Sequence, residues 1–208
     1  LTGYIFDKED LQWSVTWMGS TVNNKVLKLT DEGKDIIGGS QIIRVGETLY
    51  SYYVARSAGV DPMTGLKMYW AKDADGNDYI TTSTSKAQDN RVIVGSRIPD
   101  LYGSLSTSFR WKNIDLAVST NYSIGGKNYD GVYQEFMGCY YVAEAKHKDI
   151  LRAWRKPGDI TDVPRYEIGD VPIVTDDKLI DASYFSIKNI TLGYTLPKLW
   201  TSKIGFKS

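Results

Sequence analysis

Apolar and polar residues alternate along several stretches of this chain, and the longest of these stretches covers residues 113–124. Every second side chain from Ile114 to Ile124 falls on a mainly apolar face, and Asp115 begins the more polar series between them. This period of two predicts a β-strand. At ~3.4 Å per residue the strand is roughly 35 Å long, about twice the usual length in globular sheets. A tilted membrane-spanning strand needs about ten such residues.

Other stretches repeat the pattern. Residues 101–111 predict a strand joined to 114–124 by a tight turn at Lys112 and Asn113. Residues 184–195 predict another long strand, but its apolar side changes phase between Ile187 and Ile190. Either a β-bulge near Lys188–Asn189 or a strand that leaves the membrane band explains this change. Residues 11–17 also alternate. Further strands are predicted within 11–18, 41–57, 66–71 and 91–95, separated by Gly- and Asp-rich turns at 38–39, 61–65 and 73–78.

The connections alternate between short and long. The turn at 112–113 is followed by a polar, irregular loop from Gly125 to Ala182, and then by a short connection at 196–202 before a new strand at 203–208. Short periplasmic turns and long extracellular loops mark outer-membrane barrels. Trp111 and Trp200 flank the short turns, where an interfacial aromatic belt is expected.

Composition excludes several classes of protein. Acidic and basic residues balance at 25 each, so no nucleic-acid partner is expected. Cys139 and His147 are each the single residue of their type, which rules out an internal disulfide and leaves no material for a zinc site. No catalytic constellation is visible, so we expect neither an enzyme nor a cofactor. The chain begins without Met or an export signal, which favours a fragment.

Two fold classes remain open on the residues alone. The first is an all-β segment of a large transmembrane barrel, built from antiparallel strands with long extracellular loops. The second is a soluble β-sandwich that binds carbohydrate, which needs shorter strands of ~5–6 residues and mostly short connections. Strand length and the loop at 125–182 favour the barrel.

Six runs of residues are similar to a known family: IPDLYGSL at 98–105, FRWKNIDL at 109–116, YSIGGK at 122–127, WRKPGD at 154–159, VPRY at 163–166 and DASYFSIKNITLGYTLP at 181–197. With these runs the sequence resembles the SusC/RagA family of TonB-linked outer-membrane proteins, and the resemblance is specific over about residues 90–200. Residues 23–25 and 58–65 fit more loosely.

The resemblance implies a far larger transporter in the outer membrane of a Gram-negative bacterium. Such a protein has a plug inside a 22-stranded barrel, pairs with a SusD-like surface lipoprotein, and imports oligosaccharides or peptides with energy from the TonB complex. Residues 1–208 are then a fragment of the one barrel domain, without the plug or the segment that contacts TonB.

The long loop holds the candidate contact residues. Aromatic side chains offer stacking faces and arginines offer planar donors to a substrate or partner. The candidates are Tyr140, Tyr141, Trp154, Tyr166, Arg152, Arg155 and Arg165. On the sequence alone, packing of the loop against the barrel also explains the aromatic residues and is favoured over contact with substrate.

The acidic stretch Asp73–Asp78 suggests either a calcium loop or a plain turn. Glycine is its fourth residue rather than the sixth, and Thr84 stands where an EF-hand has glutamate. These departures favour the plain turn.

Overall fold

The computed structural model describes residues 1–30, 33–139, 145–170 and 172–197. The strands are β1 Thr2–Lys8, β2 Leu11–Ser20, β3 Ile36–Gly38, β4 Gln41–Ile43, β5 Ser51–Val54, β6 Arg56–Val60, β7 Lys67–Lys72, β8 Asp78–Thr81, β9 Val92–Ser96, β10 Leu101–Trp111, β11 Ile114–Ile124, β12 Lys127–Tyr129, β13 Leu179–Asp181 and β14 Tyr184–Tyr194. The helices are α1 Thr84–Asp89 and α2 Gly131–Met137, with 3-10 turns at Lys148–Arg152 and Asp176–Lys178. The all-β prediction with antiparallel sheets is therefore confirmed.

The chain divides into two compact units. The first, which we call the sheet unit, comprises residues 1–22, 99–125 and 182–208, and the second, the loop unit, comprises residues 23–98 and 126–181. That all 208 residues belong to one barrel domain stays a prediction.

The sheet unit is a five-stranded antiparallel sheet in the order β1-β2-β10-β11-β14. Strands β10 and β11 pair without interruption from Leu101 opposite Ile124 to Trp111 opposite Ile114, which confirms the predicted hairpin and its two-residue turn. Lys112 has a φ of 51° in this turn. Positive φ at the first turn position suits the twist of paired strands.

A bulge in β14 restores the alternation that the sequence breaks. Asn189 lies opposite Ser119 and Ile187 lies opposite Thr120, so Lys188 is the extra residue of β14. An extra residue shifts the side-chain phase by one position. Ile187 and Ile190 therefore share one face although they are three residues apart, and the bulge predicted near Lys188–Asn189 is confirmed.

The register puts apolar residues of all the long strands on one face of the sheet. Leu116, for example, lies opposite Phe109 on one side and Leu192 on the other, and Phe109 lies opposite Trp13. The other face is polar, with Arg110 and Asp115 opposite each other and joined by an ion pair at 2.7 Å.

Long and short connections fall at opposite ends of these strands. The chain leaves the sheet after Ser20 and Ile124 and returns at Leu101 and Tyr184, and all four residues lie at the same end by register. The turn at Lys112 lies at the other end, where its amide donates to the carbonyl of Asp10 at 2.9 Å. Most of the short turn predicted at 196–202, Trp200 and the strand predicted at 203–208 lie outside the described residues.

The loop unit contains three small antiparallel sheets in the orders β3-β4-β5-β9, β6-β7-β8 and β12-β13. Its buried residues include Ile42, Tyr52, Val54 and Tyr69. Segment 125–182 holds β12, α2, both 3-10 turns and β13, so the prediction that it is irregular throughout was wrong. Strands β12 and β13 pair with each other at the two ends of this segment, and its polar composition hid them.

The turn at Asp73–Asp78 joins β7 to β8. The Asp73 carboxylate accepts hydrogen bonds from the amides of Asp75 and Asn77, at 3.0 and 2.8 Å. These bonds close the turn and lower the pKa of Asp73, with the bond to Asn77 as the largest cause. Within the described parts of the chain no group of three or more His, Cys, Asp or Glu side chains is placed to hold a metal ion.

None of the helices in the described ranges combines the length and the apolar character needed to cross a bilayer.

Gly103 of β10 lies close against the backbone of β2. A Cβ atom at this position would lie 1.9 Å from the Met18 carbonyl oxygen, which also accepts a hydrogen bond from the Tyr122 hydroxyl at 3.0 Å. We expect Gly103→Ala to separate the two strands locally and to lower the free energy of unfolding by about 1–3 kcal/mol. The midpoint of thermal or denaturant unfolding measures this change.

Gly3→Ala is the matched control, because a Cβ there would meet nothing within 4 Å. Equal midpoints for the two variants would contradict the close approach of β2 and β10.

Candidate functional site

The loop unit contains the predicted contact residues, and local signals explain how its second segment folds. Asp130 caps α2 by accepting from the amide of Tyr133 at 2.9 Å. His147 caps the following 3-10 turn by accepting from the amide of Asp149 at 3.2 Å. These capping bonds satisfy amides that a short helix leaves without partners.

Several contacts bind segment 126–181 to segment 23–98, and three of them lie around Thr175 and Asp177. Ala55 and Thr175 form a parallel bridge, and the Ser57 amide donates to the Asp176 carboxylate at 2.7 Å. Lys67 forms an ion pair of 2.6 Å with Asp177. Because the partners are more than a hundred positions apart in the sequence, no local pattern predicts these contacts.

Trp154 is the best defined of the candidate contact residues. Its indole Nε1 donates to the carbonyl of Pro62 at 2.9 Å, and its ring covers Gly65. A Cβ atom on Gly65 would lie 2.4 Å from ring atoms, and this glycine has a φ of +72°. The side chain therefore locks the turn at 61–65 onto residues 154–163, and its contact with a substrate stays a prediction.

The side chains of the three candidate arginines form ion pairs or hydrogen bonds with other residues of segment 126–181. Arg152 forms ion pairs with Asp149 at 3.1 Å and Asp162 at 3.2 Å. Arg165 pairs with Glu167 at 2.6 Å, and Arg155 donates to the carbonyl of Leu151 at 3.1 Å. All three are exposed, so they remain accessible to a partner while these bonds fix their positions.

The structure brings Tyr166 and Arg165 to one cleft. Tyr166 is 44% exposed. The cleft has a volume of about 100 Å³ and is walled by β7, α2 and residues 162–178. Tyr140 and Tyr141 lie outside the described residues.

Sequence reasoning missed several residues of this cleft. Tyr69 and Tyr133 line it, together with Lys67, Asp177 and Lys178. The Lys178 ammonium lies 4.9 Å from the centre of the Tyr133 ring, within the range of a cation–π contact. The alternation of β7 marked Tyr69 as a strand residue, but nothing in the sequence indicated its cleft.

Burial and nearby charges shift the pKa values of two groups in the cleft in opposite directions. Burial raises the pKa of Tyr69 to about 12, and the negative charges of Asp170 and Asp177 add to this effect. Burial also opposes ionisation of Asp177, but Lys67, Thr175 and Lys178 together outweigh it and lower the pKa of this carboxyl. Asp177 is therefore ionised and forms ion pairs with Lys67 and Lys178.

His147 and Cys139 carry no reactive arrangement within the described structure. The His147 ring contacts Tyr133 edge-on, with ring centres 4.9 Å apart. Cys139 is a buried free thiol. Both side chains serve packing and capping.

Comparison with known proteins places this architecture among transporters. No family model matches the chain. Two TonB-dependent receptors of Formosa agariphila are similar to it: receptor P3 is 28% identical over 96% of this chain, and receptor P39 is 24% identical over 95%. In a structure of the RagAB peptide transporter, one chain matches 95% of this chain with a TM-score of 0.80 and 26% identity.

The match covers only part of each relative. This chain spans 21% and 23% of the two receptors and 22% of the matched chain of the transporter. The relatives are named as receptors and a transporter, which agrees with the expectation that the chain is not an enzyme. The resemblance stated from the sequence is confirmed.

The ion pairs of Asp177 lead to a prediction about stability and pH. Asp177→Asn removes the partner of Lys67, whose side chain is only 17% exposed, and we expect this to destabilise the loop unit by about 3 kcal/mol at neutral pH. A carboxyl whose pKa is lowered by folding stabilises above its ordinary value of 3.8, and this contribution is lost as pH falls through the folded value. The variant and the original chain should therefore begin to converge as pH falls below about 4, and they should become equal only below the lowered pKa of folded Asp177.

Limited proteolysis of the loop unit across a pH series measures this convergence. Asp75→Asn, an exposed carboxyl on the β7–β8 turn, is the control for loss of one negative charge. A deficit of Asp177→Asn that persisted unchanged at about pH 3 would contradict the role of the ionised carboxylate.

Proposed function

We propose that this chain, a homologue of TonB-dependent receptors, forms part of the wall of an outer-membrane β-barrel that imports oligosaccharides or peptides. The observation that carries the proposal is the two-faced sheet of long strands. An outer-membrane barrel needs an apolar exterior against lipid and a polar interior against water.

Large apolar side chains on the apolar face are exposed, and such exposure is unfavourable in water. Leu192, Phe185 and Ile190 are 74%, 64% and 61% exposed on it. Contiguous exposed apolar surface of this kind marks contact with a membrane or another protein. Lipid covers such a face in the proposed barrel.

The edges of the sheet support the same proposal. Within the described residues, β1 and β14 each pair on one side only. A closed barrel satisfies both edges by pairing them with neighbouring strands, since unpaired backbone groups are costly in lipid. The proposal includes the further strands of a 22-stranded barrel, its plug and its contact with the TonB complex.

The position of the long connections supports a role for the loop unit in substrate uptake. Both of its segments leave and rejoin the sheet at the end opposite the short turns, which is the extracellular end of an outer-membrane barrel. We assign the loop unit contact with the incoming substrate or with a SusD-like lipoprotein, in the outer membrane of a Gram-negative bacterium. The structurally similar RagAB is a peptide transporter, which gives peptides some preference as substrates.

Spin labels test the orientation of the sheet. Leu116 and Ser119 are three residues apart on β11 and lie on opposite faces, whereas Ile187 and Ile190 are three apart on β14 and share a face. In the transporter reconstituted in lipid, labels at 116, 187 and 190 should be quenched by oxygen dissolved in the bilayer. The label at 119 should respond to a water-soluble quencher instead.

Equal access at positions 116 and 119 would contradict the membrane assignment. A monomer of this chain that stayed soluble without detergent and melted cooperatively would favour the carbohydrate-binding sandwich instead.

Variants of the loop unit test its proposed contacts. Alanine at Arg155 and Tyr166 removes two exposed side chains while leaving the Trp154–Gly65 contact in place, and we expect weaker uptake or weaker binding of the lipoprotein. Co-purification with the lipoprotein and uptake of labelled peptides measure the two effects, after barrel insertion has been verified. Leu27→Ala, which removes an exposed side chain elsewhere in the loop unit, is the control.

If the double variant showed unchanged uptake and an unchanged complex with the lipoprotein, Arg155 and Tyr166 would have only a packing role.

A further inference from the structure

The hydroxyl of a buried tyrosine opens onto the cleft of the loop unit without a hydrogen-bond partner. Tyr69 is 5% exposed, yet it lines both the cleft of about 100 Å³ and a neighbouring one of about 250 Å³. Burial and the charges of two carboxylates raise its pKa, and its hydroxyl makes no hydrogen bond to any of the described residues. The hydroxyl can therefore bond to a group in the cleft. Gln134 lines the same cleft of about 100 Å³, and its buried Oε1 atom has no hydrogen-bond partner among the described residues. Buried polar atoms are nearly always hydrogen-bonded, so the Gln134 oxygen points to a group that enters the cleft.

The charges around the two clefts leave one carboxylate unmatched. Among the described lining residues each cation has a carboxylate partner: Lys67 and Lys178 pair with Asp177, and Arg165 pairs with Glu167. Asp162 is paired with Arg152. Asp170 lines both clefts beside Tyr69 and has no ion pair within the described ranges.

The environment of Asp170 favours a cation. Although the residue is exposed as a whole, protein atoms around its carboxyl raise its pKa, and the charge of Glu167 raises it further. Its negative charge also acts on the Tyr69 phenol. A positive group at this position would relieve both effects.

We propose that the cleft at Tyr69 and Asp170 binds a primary ammonium group attached to an apolar chain. An ammonium only donates hydrogen bonds, and the Asp170 carboxylate and Tyr69 hydroxyl oxygen both accept them. Met137, Ile150 and Ile173 line the smaller cleft next to these acceptors and suit an apolar substituent. The amino terminus of a peptide and an alkylamine such as a lysine side chain both have this chemistry. The inference rests on the proposed function, because it names a substrate group recognised by the loop unit.

Three probes separate the two sources of the ammonium. They are a tripeptide of isoleucine and two glycines with a free amino terminus, the same peptide with an acetylated terminus, and pentylamine. Binding to the purified transporter in detergent is measured by titration calorimetry or by saturation-transfer NMR. We expect the free peptide to bind roughly tenfold more tightly than the acetylated one, which is the contribution of one charge-assisted hydrogen bond. If pentylamine were the only one of the three probes to bind, the cleft would be assigned to side-chain amines.

Variants locate the site. Asp170→Asn keeps the shape of the side chain and should abolish the preference for the free amine, and Tyr69→Phe, which removes only the hydroxyl, should reduce it severalfold. Asp162→Asn removes a paired charge from the same cleft and should leave the preference unchanged. Equal binding of both peptides to the original protein, or an equal loss in Asp162→Asn, would overturn the proposal.

The outcome is independent of transport. Preference for the free amine in a protein that imports neither peptides nor oligosaccharides would keep the amine site and reject the proposed function. Peptide import without this preference would do the reverse.

Discussion

The constraint on which the sheet unit depends is the antiparallel register of its long strands. Residues directly opposite each other in neighbouring strands project to the same face, so each strand must bring its apolar positions into phase with the next. Phe109, Leu116 and Leu192 meet this condition across three strands. A slip of one residue in any strand would turn its whole apolar series to the polar face.

The bulge at Lys188 shows how the chain satisfies that constraint where its sequence violates it. Without the extra residue, Phe185 and Ile187 would face the polar side while Ile190 and Leu192 faced the apolar side. With it, both pairs face the apolar side at the cost of one unpaired residue. The uninterrupted apolar face is what makes the proposed lipid contact possible.

The loop unit depends on a different kind of constraint, which is the pairing of two segments far apart in sequence. The contacts that join them include the Lys67–Asp177 ion pair, the Ala55–Thr175 bridge and the indole of Trp154 over Gly65. Two connections of the sheet thereby form one compact unit. A folded body holds Tyr69 and Asp170 in fixed positions, which recognition of a substrate group requires.

The sequence by itself determined the long strands, the tight turn at Lys112, the change of phase near Lys188 and the two faces of the sheet, and the register then showed that a bulge causes the change of phase. These features follow from local chemistry, because the period of the side chains and the residues of a turn act over a few positions. Segments 98–116 and 181–197 were also enough to indicate the family. Only the tertiary structure decided that residues 125–182 fold against 23–98, that Trp154 packs on Gly65, and that Tyr69 lies beside Asp170. The physical reason is that these contacts join residues about 90 to 120 positions apart, and polar or irregular segments carry no periodic signal that encodes their partners.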